Sequence, residues 1–391
     1  MPRPHNTLLA SAGTTIFTVM SALAAEHDAI NLGQGFPDGD GPPDVIDVAA
    51  AALRDGRNQY APRDGVPELR RAVADANRRW YGLDIDPAHV LITGGATEGI
   101  TACLMALLDP GDECVLFEPL FDIYLPIIQL IGAVPKIVRL HPPDWRLDIA
   151  ALEAAITPRT KAILVNSPMN PTGAVLTREE VAALARICVA HDLYAICDEV
   201  YEHLTDAETP HIPLMTMPGM HERTLRVGSA GKTFSVTGWK IGYVSTTAAL
   251  FTTVGKAHQN LIFSIAPNLQ RAIAHGLQKD DAYFVGMRDA LAAKRARIAT
   301  GLAACGFGVL PSRGSYFVVG DIAPLGLGMD DVTAARVLTQ EARVATIPCS
   351  SFYQGADPPR TLLRFAVAKR DEVLDEAIAR LHAWVAARGG A

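Results

Sequence analysis

Between residues 89 and 245 short apolar runs alternate with helix-like stretches, and this alternation limits the possible folds more than any other feature of the chain. Runs at 89–93, 113–117, 134–140, 161–165, 193–197, 224–227 and 241–245 have the length and composition of buried strands. Strands that alternate with helices build an α/β sheet, and such sheets bind ligands at the carboxyl ends of their strands. The segments that directly follow the apolar runs are therefore where chemistry is expected.

Those segments carry distinctive residues. The first run leads into Gly94-Gly95-Ala96-Thr97-Glu98 and then a helix. A strand, a glycine turn and a helix start leave backbone N–H groups free to bind an anion, although the same stretch also reads as a plain tight connection. The second run leads to Phe121, a stacking face or an ordinary core residue. Asn166-Ser167-Pro168-Met169-Asn170-Pro171-Thr172-Gly173 forms a rigid loop after the fourth run. Asp198-Glu199-Val200-Tyr201 follows the fifth, and Asp198 is either a solvated strand end or a carboxylate held to pair with a cation. The sixth run delivers Ser229-Ala230-Gly231-Lys232-Thr233-Phe234, with a second lysine, Lys240, after Thr237-Gly238-Trp239. A desolvated lysine near another cation has a depressed pKa and becomes a nucleophile. Small neighbours, hydroxyls and a fixed cation suit a Schiff base with a phosphorylated aldehyde; taken alone, the stretch also reads as a solvated loop.

The rest of the chain frames these segments. A glycine-rich turn at 30–38 precedes a helix opened by Pro42 and Pro43 and closed by Gly56; Asn58-Gln59-Tyr60 precedes another at 67–80. Thr177 and Glu180 form a capping box for a helix that ends near His191. A long helix at 281–304 connects to strands at 307–310 and 316–319, a helix at 331–343, a strand at 361–366 and a last helix from Asp371, which together read as a smaller α/β domain. A chain of 391 residues suits two domains. Its net charge of −7, without a basic block, argues against nucleic-acid or anionic-membrane partners. Neither the six cysteines nor the eleven histidines show metal-binding spacing, so no metal site is expected, and buried free thiols in a reducing, cytoplasmic setting fit best. Arg3 ahead of residues 7–25, with Ala22-Leu23-Ala24, imitates a secretion signal. Ser11, Gly13, Thr14 and Thr15 interrupt its apolar run, and a retained N-terminal arm is expected. No apolar run is long enough to cross a membrane.

Taken together, Asn31-Leu32-Gly33-Gln34-Gly35-Phe36-Pro37, Asn58-Gln59-Tyr60, the 166–173 loop, Asp198-Glu199-Val200-Tyr201, Lys232-Thr233-Phe234 with Thr237-Gly238-Trp239-Lys240, and Leu363-Arg364-Phe365 resemble the class I/II aminotransferases of pyridoxal phosphate fold type I. The resemblance spans nearly the whole chain. It is nearest the branch holding the kynurenine, methionine and N-succinyldiaminopimelate aminotransferases. It implies a large domain, residues 45–290, with a mostly parallel seven-stranded sheet sandwiched by helices. Residues 1–44 would form the arm and part of the small domain, and residues 291–391 the rest of that small α/β domain. The implied cofactor is pyridoxal 5′-phosphate. Lys232 would form the Schiff base and shuttle the substrate α-proton, Asp198 would pair with the ring nitrogen, and Asn170 and Tyr201 would donate to the phenolic oxygen. Phe121 would stack on the ring, and Ala96, Thr97, Ser229 and Lys240 would hold the phosphate. Tyr60 would reach the phosphate of a neighbouring subunit in a homodimer with shared sites, and Phe263 would enter the neighbour's side-chain pocket. Arg364, helped by Asn170 and the backbone near Gly35, would grip the substrate α-carboxylate.

Departures from the pattern bear on the substrate. Ala96 stands where kynurenine aminotransferases carry tyrosine, Ser264 replaces a histidine common beside Phe263, and no counterpart of a second, dicarboxylate-binding arginine is evident. The resemblance thus implies ping-pong transamination of a neutral, apolar, aromatic or sulphur-bearing amino acid with a 2-oxo acid. N-succinyldiaminopimelate transamination and cysteine-conjugate C–S β-lysis are the alternatives. A transcription regulator with an aminotransferase-like sensor domain is not expected, because the arm begins too near Met1 for a winged helix.

Overall fold

The computed structural model describes residues 5–11, 13–56, 58–355 and 357–389. Arg3, at the head of the signal-like stretch, lies outside the described residues. The chain forms two compact units: Phe36–Ala293 with Pro311–Tyr316, and Met1–Gly35 with Lys294–Leu310 and Phe317–Ala391. The limits anticipated from sequence, 44/45 and 290/291, did not include the return of 311–316 to the larger unit.

The larger unit holds seven strands: β1 (Val90–Gly94), β2 (Glu113–Glu118), β3 (Val134–Arg139), β4 (Thr160–Asn166), β5 (Tyr194–Asp198), β6 (Thr224–Ser229) and β7 (Ile241–Ser245). Their order across the sheet is β1-β7-β6-β5-β4-β2-β3, with β7 antiparallel to both neighbours and every other pairing parallel. Every residue of β1, β2, β6 and β7 is buried, as expected of strands covered by helices on both faces. The two-residue pleat divides the strands between two cores. Leu91 of β1 packs on one face with Leu116, Leu164, Ile196, Leu225 and Val244. Val90 and Ile92 pack on the other with Leu69, Val73, Phe234 and Ile273. Each fully buried Leu or Ile contributes on the order of 2 kcal/mol, so a register slip of one residue would forfeit much of both cores.

The helices start where the sequence provides for it. Pro43 and Pro67 occupy first helical positions, and the Thr177–Glu180 capping box opens α-helix Arg178–Ala190. Helix Asp281–Ala304 and strand β7 have the bounds anticipated from sequence.

In the smaller unit four antiparallel strands run in the order Ile347–Pro348, Leu362–Ala366, Phe317–Asp321, Gly308–Val309, with Val319 opposite Arg364. A two-residue parallel ladder joins Ile30–Asn31 to Val344–Ala345. The arm contains helix Ile16–Glu26, capped by the Thr15 side chain. Two expectations need correction here. The strand placed at 316–319 begins at Phe317, because Ser315 has a φ of 57° and turns the chain just before it. The helix placed at 331–343 is α-helical only over Asp331–Val337. It widens to a π turn over Leu338–Ala342 and stops at Arg343, whose φ is 58°. Among the described residues no helix is long and apolar enough to cross a membrane.

Candidate active site

The carboxyl ends of β1, β4, β5 and β6 deliver the segments singled out from sequence to one edge of the larger unit's sheet. Asp198 is the last residue of β5, rather than the first beyond it, and pairs in register with Asn166 of β4. Asn166 ties the two loops together: its Nδ2 donates to the Asp198 carbonyl at 3.0 Å, and its Oδ1 accepts from the Asn170 backbone at 2.8 Å. Asn170 and Tyr201 are both buried.

Asp198 is 4% exposed. Burial raises its carboxyl from 3.8 to about 6, although the Tyr124 hydroxyl, the Val200 N–H and the Lys232 charge all pull it down. Tyr124 donates to Oδ2 at 2.5 Å. It opens helix Tyr124–Leu130, three residues after Phe121, and the two rings meet edge to face at 5.9 Å.

Lys232 lies in the single helical turn Ala230–Thr233 that follows β6 directly. Its Nζ donates to the Tyr316 hydroxyl at 2.9 Å and sits 5.7 and 5.6 Å from the ring centres of Tyr201 and Tyr316. Ser229 ends β6 and is buried.

The glycine turn after β1 forms a cup. Gly95 has a φ of 75°, a conformation that excludes most side chains, and a Cβ placed there would lie 3.3 Å from Lys240 Nζ. From below, a Cβ on Gly242 would come within 2.7 Å of the Ala96 nitrogen. Ala96 and Thr97 occupy the first turn of helix Gly95–Leu107, so their N–H groups belong to the helix end that favours anions. Lys240, in the left-handed region, adds a cation.

Lys232, Asp198, Tyr201, Asn170, Phe121, Ser229, Ala96, Thr97 and Lys240 thus share one sheet edge of one unit. An amine, a buried acid, aromatic faces and a cationic backbone cup match the functional groups of a phosphorylated pyridine aldehyde. Tyr60 and Phe263 also belong to this unit, with rings edge to face at 5.3 Å, and they stand 85% and 43% exposed. Gly35 and Arg364 lie in the smaller unit. Arg364 is 1% exposed, donates from Nη2 to the Gly33 carbonyl, and is ringed by Phe17, Phe317 and Phe352. Sequence reasoning gave no role to Tyr124 or Tyr316. The i, i+3 spacing of Phe121 and Tyr124 was the available signal for the first; nothing local marks the second.

Glu199, the next residue along, belongs to a different cluster. Arg226 of β6 reaches Glu199 and Glu202 at 2.5 and 2.8 Å, donates to Asn77, and lies 4.7 Å from the Tyr81 ring centre. Burial alone would raise both carboxyls, but Arg226, with His211, holds Glu199 below its ordinary value and Glu202 at about 2.

The family profile "Aminotransferase class I and II" matches residues 27–381. The probable N-succinyldiaminopimelate aminotransferase DapC of Mycobacterium tuberculosis is 46% identical over 94% of this chain and 95% of its own. The methionine aminotransferase of Escherichia coli is 39% identical over 95% and 96%. Among solved structures, N-succinyldiaminopimelate aminotransferase from Mycobacterium tuberculosis superimposes with a TM-score of 0.94 at 46% identity, covering 97% of this chain and 100% of that one.

Proposed function

This chain belongs to the class I and II aminotransferases, enzymes that use pyridoxal 5′-phosphate, and on that premise we propose that it transaminates a neutral α-amino acid with an apolar, aromatic or sulphur-bearing side chain. A 2-oxo acid accepts the amino group in the second half of a ping-pong cycle. The observation that carries the reading is the placement of the Lys232 amine in the same unit as a deeply buried carboxyl, Asp198, whose Oδ2 already has a donor in Tyr124.

When bound, the cofactor supplies an electron sink for the substrate's Cα. Asp198 would keep a proton on the ring nitrogen, and Asn170 and Tyr201 would donate to the phenolic oxygen. Phe121 would cover one ring face, while the N–H groups of Ala96 and Thr97, the Ser229 hydroxyl and the Lys240 amine would hold the phosphate. Lys232 would anchor the cofactor and carry the substrate α-proton. Arg364, with Asn170 and the Gly35 backbone, holds the substrate α-carboxylate in its planar fork. The exposed Tyr60–Phe263 pair reaches a second copy of the chain, in a homodimer whose sites are shared. Six buried free thiols suit the reducing cytoplasm.

A second reading, N-succinyldiaminopimelate as the amino donor, is favoured by the 46% identity with the mycobacterial relative. A half-reaction screen separates the two. Holoenzyme is mixed with methionine, aromatic amino acids or N-succinyldiaminopimelate, and decay of the yellow absorbance is timed. Fastest decay with the neutral donors supports the first reading, and fastest decay with the succinylated one replaces it. Release of pyruvate and a thiol from a cysteine conjugate without an oxo acid would reveal β-lysis. Lys232→Ala is expected to lack both the yellow absorbance and turnover; retained transamination would remove Lys232 from the role.

A further inference from the structure

Residues 311–316 leave the smaller unit and lie flat on loops of the larger one. Arg313 and Gly314 both donate to the Gly173 carbonyl at 2.9 Å, and the Asp206 N–H reaches the Arg313 carbonyl at 2.7 Å. Gly314 also bridges to Thr205. A Cβ on Gly314 would come within 2.7 Å of the Val175 side chain and 2.8 Å of Pro168, so only glycine allows this approach. The strap is thereby fastened to the loop that carries Asn170 and to the turn that carries Tyr201. Ser315, fully buried with a φ of 57°, then turns the chain and presents Tyr316, whose ring meets Tyr201 edge to face at 5.2 Å.

We propose that Tyr316 is a positioning residue for Lys232: its hydroxyl, held by the strap, accepts the 2.9 Å hydrogen bond from Nζ and aims the amine. The proposal rests on the reading of Lys232 as the cofactor-binding lysine. A lysine set free during turnover has four rotatable bonds, and an acceptor fixed to rigid loops keeps it within reach of the proton it must carry. The titratable groups around the amine are the Asp198 carboxyl, which feels the Lys232 charge, and the phenols of Tyr201 and Tyr316.

Tyr316→Phe keeps the ring and removes the acceptor. In the cofactor-free protein, Lys232 is labelled with acetic anhydride near neutral pH and quantified by peptide mass spectrometry. Labelling is expected to be about tenfold faster in the variant, the scale of one buried hydrogen bond that no longer holds the amine in place. With the cofactor bound, the half-reaction is expected to slow about tenfold and its α-deuterium isotope effect to grow, with the apparent amino-acid affinity changed less than about twofold. Labelling and isotope effect both within about twofold of the parent would overturn the proposal. If the Phe variant fails to take up the cofactor, 4-fluorophenylalanine placed at 316 keeps a para substituent and the ring's shape while weakening the acceptor. A labelling rate raised about threefold supports the role, and an unchanged rate removes it. Lys232→Ala with its yellow colour intact would instead sink the assignment of Lys232, a result that the cofactor-free labelling does not depend on.

Discussion

Asp198 and Glu199 are neighbours in the chain and opposites in the fold. Strand pleating sends one to the Lys232 side and the other to the Arg226 cluster. Both are deeply buried, yet Asp198 is pushed up to about 6 while Glu199 is held below its ordinary value. The difference lies in the partners. Glu199 touches a guanidinium, whereas the Oδ2 of Asp198 has a phenol and feels a lysine only at longer range. One acid is held as an anion by its cation; the other is left buried with a raised pKa.

Removing the cation tests the sealed side and has the largest expected effect. Arg226→Met leaves Glu199 and Glu202 buried without their main partner, and about 3–5 kcal/mol of stability should be lost in denaturant unfolding. An equally stable Met variant would break the comparison. Asp198→Asn should do the reverse in the cofactor-free protein, stabilising it by roughly 3 kcal/mol at neutral pH while transamination collapses.

The pH dependence sharpens the same contrast. From pH 3.8 to about 6 the folded protein keeps a proton on Asp198 that the unfolded chain has shed, so this group's effect is to lower stability as pH rises through that window. Glu202 acts in the opposite sense: its stabilisation is present above 4.5 and is lost as pH falls towards about 2. The stability gap between the parent and the Asp198→Asn variant should therefore widen as pH rises from 3.8 to about 6 and stay level above it, which calorimetry across that range would read. The smallest effect belongs to Tyr124→Phe. Losing the donor at 2.5 Å should push Asp198 up further, by about 1 kcal/mol, visible as a displaced carboxyl titration in infrared spectra of the cofactor-free protein.

The alternation of strands and helices was legible because buried strands of a covered sheet are written as near-continuous apolar runs. The Thr177 box and the bounds of Asp281–Ala304 were legible because their signals are local. The segments after β1, β4, β5 and β6 do share one sheet edge. What stayed hidden depends on long-range partners. Tyr124 meets Asp198 across 74 positions, and Lys232 meets Tyr316 across 84, so no window of sequence contains either pair. Arg226 hid for a related reason: one charge inside an apolar strand looks like an interruption until the acids opposite it are placed. The π turn at Leu338–Ala342 has a helical composition and differs only in its hydrogen-bond spacing.

At position 242 a methyl group has no room, since it would strike the backbone at 95–96, and at position 95 the φ of 75° already disfavours any side chain. The floor of the glycine turn after β1 is thus main chain against main chain. A larger residue at 242 would first have to displace the 95–96 main chain before it could place any new group beside Ala96.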